Sequence, residues 1–313
     1  MDSLPLVSVI VPVYNGEYSL PTLLAALQAQ TYPNLEILIV DNNSTDGTAA
    51  LLQAQASVRY LREERPGSYA ARNAALQVAQ GEVLAFTDDD CVPEPNWVFE
   101  GVQSLSSDEF QLAGGAIQFR FSEQPRLAEW LDSCQFLNQA EYVNWGRFAV
   151  TANLFVHRRV FEQIGPFSET LISSGDSEFC RRAHAHGFQI TYAEKALISH
   201  PTRKNLKALF RKSWRIGYGN GQLSAQNQEK VVNYLSWEAY QLKRLNFQRL
   251  SDMGIQLNFQ QKLLSTAMNY GVVTLARNFG SLAGYLTTHR VQSVKSQANA
   301  ANSEVAVDSA SGR

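Results

Sequence analysis

The sequence is short of everything that would cross-link a chain or carry it through a bilayer. Its three cysteines, Cys91, Cys134 and Cys180, stand far apart. An odd count without close spacing excludes a disulfide framework and suits reduced thiols in a cytosol. No window of about 20 residues is apolar enough to span a membrane. The start, MDSLPLVSVIVPVY, lacks a basic opening and turns strand-like at once, so it does not read as a signal peptide. Neither sign of charge is in excess. The formal net charge is -2, and nothing draws the chain to nucleic acid. No internal repeat is visible. What is present is ordinary soluble composition, 45% hydrophobic and 18% charged over 313 residues. That length suffices for one large domain or two small ones with a sizeable core.

Pattern then supplies the fold class. VSVIVPV (7–13) and EILIVD (36–41) are β-branched runs short enough for buried strands. SVRYLR (57–62) and EVLAFTD (82–88) continue the series. Between them lie helical stretches: one opening near Pro21 with leucines at 20, 23, 24 and 27, one reaching about Gln55, and one over 68–81 with Gly81 as its stop. Strand alternating with helix at this rhythm predicts a parallel sheet with helices on both faces. Further strands are expected at 112–119, 150–157 and 189–193. Helices are expected at 176–187 and 203–216, and two long ones between about 227 and 289.

In such sheets ligands bind at the carboxyl ends of the strands. Three polar clusters fall there: YNGE, DNNSTDGT and DDD. Carboxylates that close together repel, so Asp88, Asp89 and Asp90 either face water or hold something positive. Hard oxygen ligands suit magnesium or manganese, with substrate phosphates completing the shell. Cys91 adds little, since these ions do not seek thiolate. The alternative is a solvated acidic loop.

At this point the residues resemble glycosyltransferase family 2. VSVIVPVYNGE, EILIVDNNSTDGT, ERPGSYAARNAAL and GEVLAFTDDDC follow in the family's order. TANLFVHRRVFEQIGPFSE and GDSEFCRRAHAHGFQITYAEKALISH extend the likeness over about residues 6–203. The resemblance implies a GT-A fold: α/β, with a Rossmann-like nucleotide-binding half and a mixed central sheet. The expected organisation is a GT-A domain over 1–220, followed on pattern and composition by a helical extension over 221–289 and a disordered tail over 290–313.

The resemblance also implies roles. Pro12, Tyr14 and Glu17 match the loop lining the nucleoside pocket, and Asp41 matches the aspartate that bonds the base. Arg72 lies beside the nucleotide, with Asn73 in the same signature. Asp88 and Asp90 match the ends of the DxD motif. Asp90 is the expected ligand of Mn2+ or Mg2+, while Asp88 binds the metal or the ribose. Asp89 takes the variable middle position. His200 falls where some GT-A enzymes place a metal ligand; a structural histidine is the alternative. Thr151, Ala152 and Asn153 match the segment beneath the donor sugar. Trp130, Trp145 and the tyrosines near 142 are candidates either for stacking on sugars or for the core.

An acceptor hydroxyl needs a general base, and Asp176 aligns with the family's. The family pattern has Glu-Asp here, where this chain has Gly175-Asp176. By local sequence alone Asp176 also suits a helix N-cap. Glu178 either supports it or favours the helix start, and His184 and His186 read as surface positions. RKNLKALFRKSWR (203–215) is a basic amphipathic helix, with Leu206, Leu209, Phe210 and Trp214 assigned to a side of their own. Leu264, Met268, Val272, Leu275, Phe279, Leu282 and Leu286 form one apolar stripe, expected to pack inward. Both segments are also candidates for peripheral contact on the inner face of a membrane. The Gln-x-x-Arg-Trp motif of polymer-extruding relatives is missing. The expectation is a cytoplasmic, inverting, metal-dependent transferase. It would move a sugar from a nucleoside-diphosphate donor, UDP-linked before GDP or dTDP, to a glycan or lipid-linked hydroxyl acceptor in surface polysaccharide assembly. The alternatives are a binding module without turnover and a nucleotidyltransferase; the latter would want a Gly-rich, lysine-bearing phosphate loop near residue 14.

Overall fold

The computed structural model describes residues 4–227, 247–252 and 256–292. Two compact units result. The first holds the sheet and its helices up to Lys204, except Leu171–Ser174, and includes the short helix α10 (Phe247–Asp252). The second holds Leu171–Ser174 and the helices after Asn205 and after Leu257.

The sheet of the first unit runs β3-β2-β1-β4-β7-β6-β8-β5. Its strands are β1 (Val7–Val13), β2 (Leu35–Asp41), β3 (Arg59–Arg62), β4 (Val83–Thr87), β5 (Val92–Pro93), β6 (Leu112–Arg120), β7 (Asn153–His157) and β8 (Ile190–Pro201). The first four are parallel, as the strand–helix rhythm predicts. β7 then joins antiparallel to β4 and β6, so the whole sheet is mixed. Every residue of β1 is buried, which is why its sequence is apolar on both faces.

Helices cover the strands: α1 (Leu20–Gln28), α2 (Thr48–Gln53), α3 (Ser68–Leu76), α4 (Trp97–Gln103), α5 (Leu127–Gln135), α6 (Gln139–Gly146), α7 (Arg158–Ile164) and α8 (Gly175–Ala185). Pro21 sits in the first turn of α1, and Leu20, Leu23, Leu24 and Leu27 all go into the core. Two expected boundaries are corrected. α3 ends at Leu76, so Gly81 is no helix stop. Gly81 instead lies against β1, where its N–H donates to Ser8 Oγ at 2.8 Å and a Cβ would strike the Ser8 backbone. β8 runs on past residue 193 to Pro201, taking His200 into the strand.

In the second unit α9 (Leu206–Gln226) is followed by α11 (Phe259–Met268), a π-helical turn (Asn269–Thr274) and α12 (275–292). The expected long helices fall partly on 228–246, outside the described residues, as does most of the expected tail. α9 and α12 meet through glycines. A Cβ on Gly217 or Gly221 would run into the carbonyls of Arg277 or Ser281. One on Gly280 or Gly284 would run into those of Trp214 or Tyr218. This seam corrects the expected apolar stripe: Ala276, Gly280 and Gly284 turn inward, while Leu264, Leu275, Phe279 and Leu286 stay exposed. On α9, likewise, Leu209 is buried but Phe210 and Trp214 share the exposed face with Lys207, Arg211 and Arg215.

Candidate active site

Because β2, β1 and β4 are neighbours and parallel, their carboxyl ends bring the three polar clusters to one edge. Pro12 is buried in β1 and pairs in register with Val40. The ladder to β4 stops at Ile10, and Val13 uses its carbonyl toward β2, bonding Asn42 N–H at 2.8 Å. Pro12 therefore faces the side where the ladder has ended, and its missing N–H costs nothing. Asn15 takes a left-handed conformation (φ 54°) and locks the first loop to the second. Its amide donates to Ser44 Oγ at 2.8 Å, and its side-chain oxygen accepts from Thr45 N–H at 2.8 Å. Glu17 is engaged in the same clasp, accepting from Gly47 N–H at 3.1 Å. Tyr14 is 62% exposed at the loop's outer edge. Asp41 is fully buried and caps its own turn, accepting from Ser44 N–H at 2.8 Å and from the Tyr60 hydroxyl at 3.4 Å.

The three aspartates point three ways. Asp88 accepts a 2.5 Å bond from Arg72, whose side chain is 3% exposed. Arg72 Nε is buried without a hydrogen-bond partner. Asp89, the supposedly variable middle residue, turns inward and accepts from the Ser19 hydroxyl at 2.6 Å. Burial pushes its carboxyl up to about 7, with the charges of Asp90 and Asp88 adding to the rise and the Ser19 bond opposing it. Asp90 has its side chain 41% exposed. Its backbone carbonyl accepts from Arg120 at 3.0 Å, and its Oδ1 lies 3.7 Å from His200 Nε2. His200 Nδ1 lies 2.7 Å from the Pro201 carbonyl, which can only accept. Nδ1 therefore carries a proton, and in the neutral ring Nε2 turns its lone pair toward Asp90.

Ligand atoms of Asp90, Cys91 and His200 lie within 4.8 Å of one another. Burial, with the charges of Asp88 and Asp90 added, pushes the Cys91 thiol well above its ordinary range. Of these three groups the carboxylate and the imidazole are the donors that could hold Mn2+ or Mg2+.

Asp176 is the second residue of α8, not its N-cap. A left-handed Ser174 (φ 64°) turns the chain into the helix. Oδ1 accepts from Ser177 N–H at 2.9 Å and from the Tyr69 hydroxyl at 3.4 Å, and Oδ2 from Thr151 N–H at 3.4 Å. Burial raises its pKa against the opposing pull of the Ser177 amide, Arg72 and the Thr151 amide; Asp88 adds to the rise. Arg72 thus acts on both Asp88 and Asp176. Glu178 is turned away to Arg182 at 2.8 Å, and Arg182 in turn binds the carbonyls of Ile164 and Pro166.

Other expected residues make the following contacts. Asn73 ties α3 to the Phe167 backbone and Glu169. Asn153 stitches three strands, bonding the Ala116 and Ala196 carbonyls and the Trp97 indole, each at 2.8 Å. His184 meets Arg147 and His186 meets the Arg182 carbonyl. Trp145 is 86% exposed, outside the core. Three residues of the site were not singled out from sequence: Ser19, Tyr69 and Arg120. Arg120 is braced from behind by Glu129, which is fully buried. Glu129 accepts from the hydroxyls of Ser122 and Thr202, each at 2.6 Å, while Thr202 N–H donates to the Arg120 carbonyl at 3.1 Å.

A mixed sheet of this order, acidic at the ends of its parallel strands, is the GT-A architecture of glycosyltransferases. Solved structures share it. The mannosyltransferase PcManGT from Pyrobaculum calidifontis, in complex with GDP-Man and Mn2+, has a TM-score of 0.61 at 20% identity, covering 94% of this chain and 88% of that one. Residues 1–349 of S. aureus TarS, in complex with UDP, give 0.52 at 17% identity, covering 93% and 92%. In sequence, glycosyltransferase AglE of Haloferax volcanii is 38% identical over 230 residues, 71% of this chain and 75% of that protein. The model of Glycosyl transferase family 2 matches residues 8–165. The chain belongs to that family and is a glycosyltransferase. Among the described residues no helix is long and apolar enough to cross a membrane.

Proposed function

We propose that the chain is an inverting, metal-dependent transferase that moves a sugar from a nucleoside-diphosphate donor to a hydroxyl of a glycan or lipid-linked acceptor. The observation that carries this reading is Arg72, buried between the acidic strand end and Asp176 and acting on both. In the reaction the acceptor oxygen bonds the anomeric carbon as the bond from that carbon to the diphosphate breaks. The acceptor proton passes to Asp176, whose raised pKa brings it nearer the range useful for a base. Arg72, paired with Asp88 at the acidic strand end, would meet charge developing on the diphosphate. Pro12, Tyr14, Glu17 and Asp41 border the nucleoside side of the same edge. Asp90 and His200, with Asp88, would hold Mn2+ or Mg2+, which neutralises the leaving diphosphate.

UDP is the favoured nucleotide, with GDP next. The structural neighbours differ here, one being solved with GDP-Man and the other with UDP. Surface polysaccharide assembly is the setting the family resemblance favours. The outer face of α9 supports a peripheral seat on an anionic bilayer. Phe210 and Trp214 are exposed with ring centroids 6.3 Å apart, among exposed Lys207, Arg211 and Arg215. Aromatic rings beside cations are what a headgroup region accepts.

The test is a melting panel of UDP, GDP, dTDP and their sugars with and without Mn2+, followed by nucleoside-diphosphate release. One nucleotide should raise the midpoint in a metal-dependent way. That gain should vanish in Asp90→Ala and survive in Asp176→Asn, while turnover is lost in both. Donor binding without turnover in the wild type would mark a binding module. Release of inorganic diphosphate would mark a nucleotidyltransferase.

A further inference from the structure

Where the family pattern has Glu-Asp, this chain has Gly175-Asp176, and the structure supplies a reason. The Tyr69 ring, 6% exposed, occupies the space. A Cβ on Gly175 would stand 2.7 Å from Cε2 and Cζ of that ring, closer than real Cβ atoms approach. The ring has little room to retreat, with Phe167 at a centroid distance of 5.8 Å and the Arg72 guanidinium at 5.9 Å. The Tyr69 hydroxyl accepts from Gly175 N–H at 2.8 Å and from Asp176 N–H at 3.2 Å. It also lies 3.4 Å from Asp176 Oδ1, to which its own proton points. A helix start leaves its first amides without intrahelical partners. In α8 two of them are capped by a phenol from α3 rather than by the preceding residue.

We propose that Tyr69 is the positioning residue of Asp176, and that Gly175 is required because the Tyr69 ring takes the room of a side chain there. One hydroxyl sets both the backbone and the carboxylate of the acceptor-side aspartate. The proposal rests on Asp176 being the base. A general base misplaced by about 1 Å can cost about a hundredfold in rate.

The probe is release of nucleoside diphosphate from whichever of UDP-GlcNAc, UDP-glucose or GDP-mannose raises the melting midpoint with Mn2+. Tyr69→Phe keeps the ring and removes the hydroxyl. It is expected to lower kcat about ten- to a hundredfold, with donor KM and the donor-induced melting shift unchanged. Gly175→Glu alone should abolish turnover, and Tyr69→Ala/Gly175→Glu should recover part of it by restoring the family's pair. A wild-type kcat in Tyr69→Phe would overturn the proposal, as would full activity in Gly175→Glu. If Tyr69→Phe fails to fold, Gly175→Ala carries the test. It keeps the hydroxyl but displaces the ring, and an unchanged kcat would refute the coupling. Asp176→Asn separates the two readings. Wild-type turnover there sinks the base assignment, whereas a dead Asp176→Asn beside a fully active Tyr69→Phe sinks only the role of Tyr69.

Discussion

Replacing Glu129 by glutamine tests how the acidic edge is braced. Glu129 is fully buried, and burial alone would raise its pKa. Four donors outweigh that: the hydroxyls of Ser122 and Thr202 at 2.6 Å, and the amides of Ser122 at 2.9 Å and Arg126 at 3.1 Å. They bring its carboxyl from 4.5 down to about 2. At about 1.4 kcal/mol per unit, the fold favours the ionised form by roughly 3 kcal/mol. Glutamine keeps one acceptor oxygen and turns an NH2 group toward the donors of the other, so most of that preference is lost. Glu129→Gln should therefore melt about 5–10 °C lower at pH 7. The sign with pH follows from the depressed value. The contribution is complete above the unfolded value near 4.5 and disappears as pH falls toward 2. Glutamine does not titrate, so the gap between the two proteins should narrow between about pH 5 and pH 3. Scanning calorimetry in parallel buffers reads both quantities. Equal melting points at pH 7, or a gap that does not narrow in acid, would refute the reasoning. Since Thr202 also holds the Arg120 carbonyl and Arg120 holds that of Asp90, the variant should gain less melting temperature from Mn2+ than the wild type.

Two further outcomes are expected. Gly221→Ala should lower the melting point although alanine favours a free helix by about 1 kcal/mol, because its methyl meets the Ser281 carbonyl; a stabilised variant would deny the close seam between α9 and α12. Lys207→Glu/Arg211→Glu should cut sedimentation with phosphatidylglycerol vesicles at least several-fold while leaving turnover of a soluble donor intact; equal binding to phosphatidylcholine, or none to either, would remove the bilayer from the reading.

How far the sequence announces this molecule depends on whether a residue's neighbours lie along the chain. β1, β2 and β4 are buried on both faces, so their β-branched runs are legible, and their rhythm with the helices gives the parallel order. That suffices to bring Asp41, the Tyr14 loop and Asp88 to one edge. Three adjacent aspartates carry no mark of inside or outside, however, and the partner Asp89 turns to, Ser19, lies 70 residues away. The expected strand stops short of the observed β8 because Glu194 and Lys195 interrupt its apolar run, at the point where its register with β6 shifts. The stripe from Leu264 to Leu286 has the right period and the wrong face. Leucine is the more hydrophobic residue, but backbones that approach through Gly217, Gly221, Gly280 and Gly284 leave no room for it, and the glycine spacing was the signal that outranked it. Gly175 makes the same point at the site itself. In one dimension a missing glutamate looks like decay. In three dimensions the absent side chain is the space Tyr69 fills, and the hydroxyl delivered there contacts the aspartate beside it. A departure from a family pattern therefore argues for lost function only after the space it vacates has been found empty.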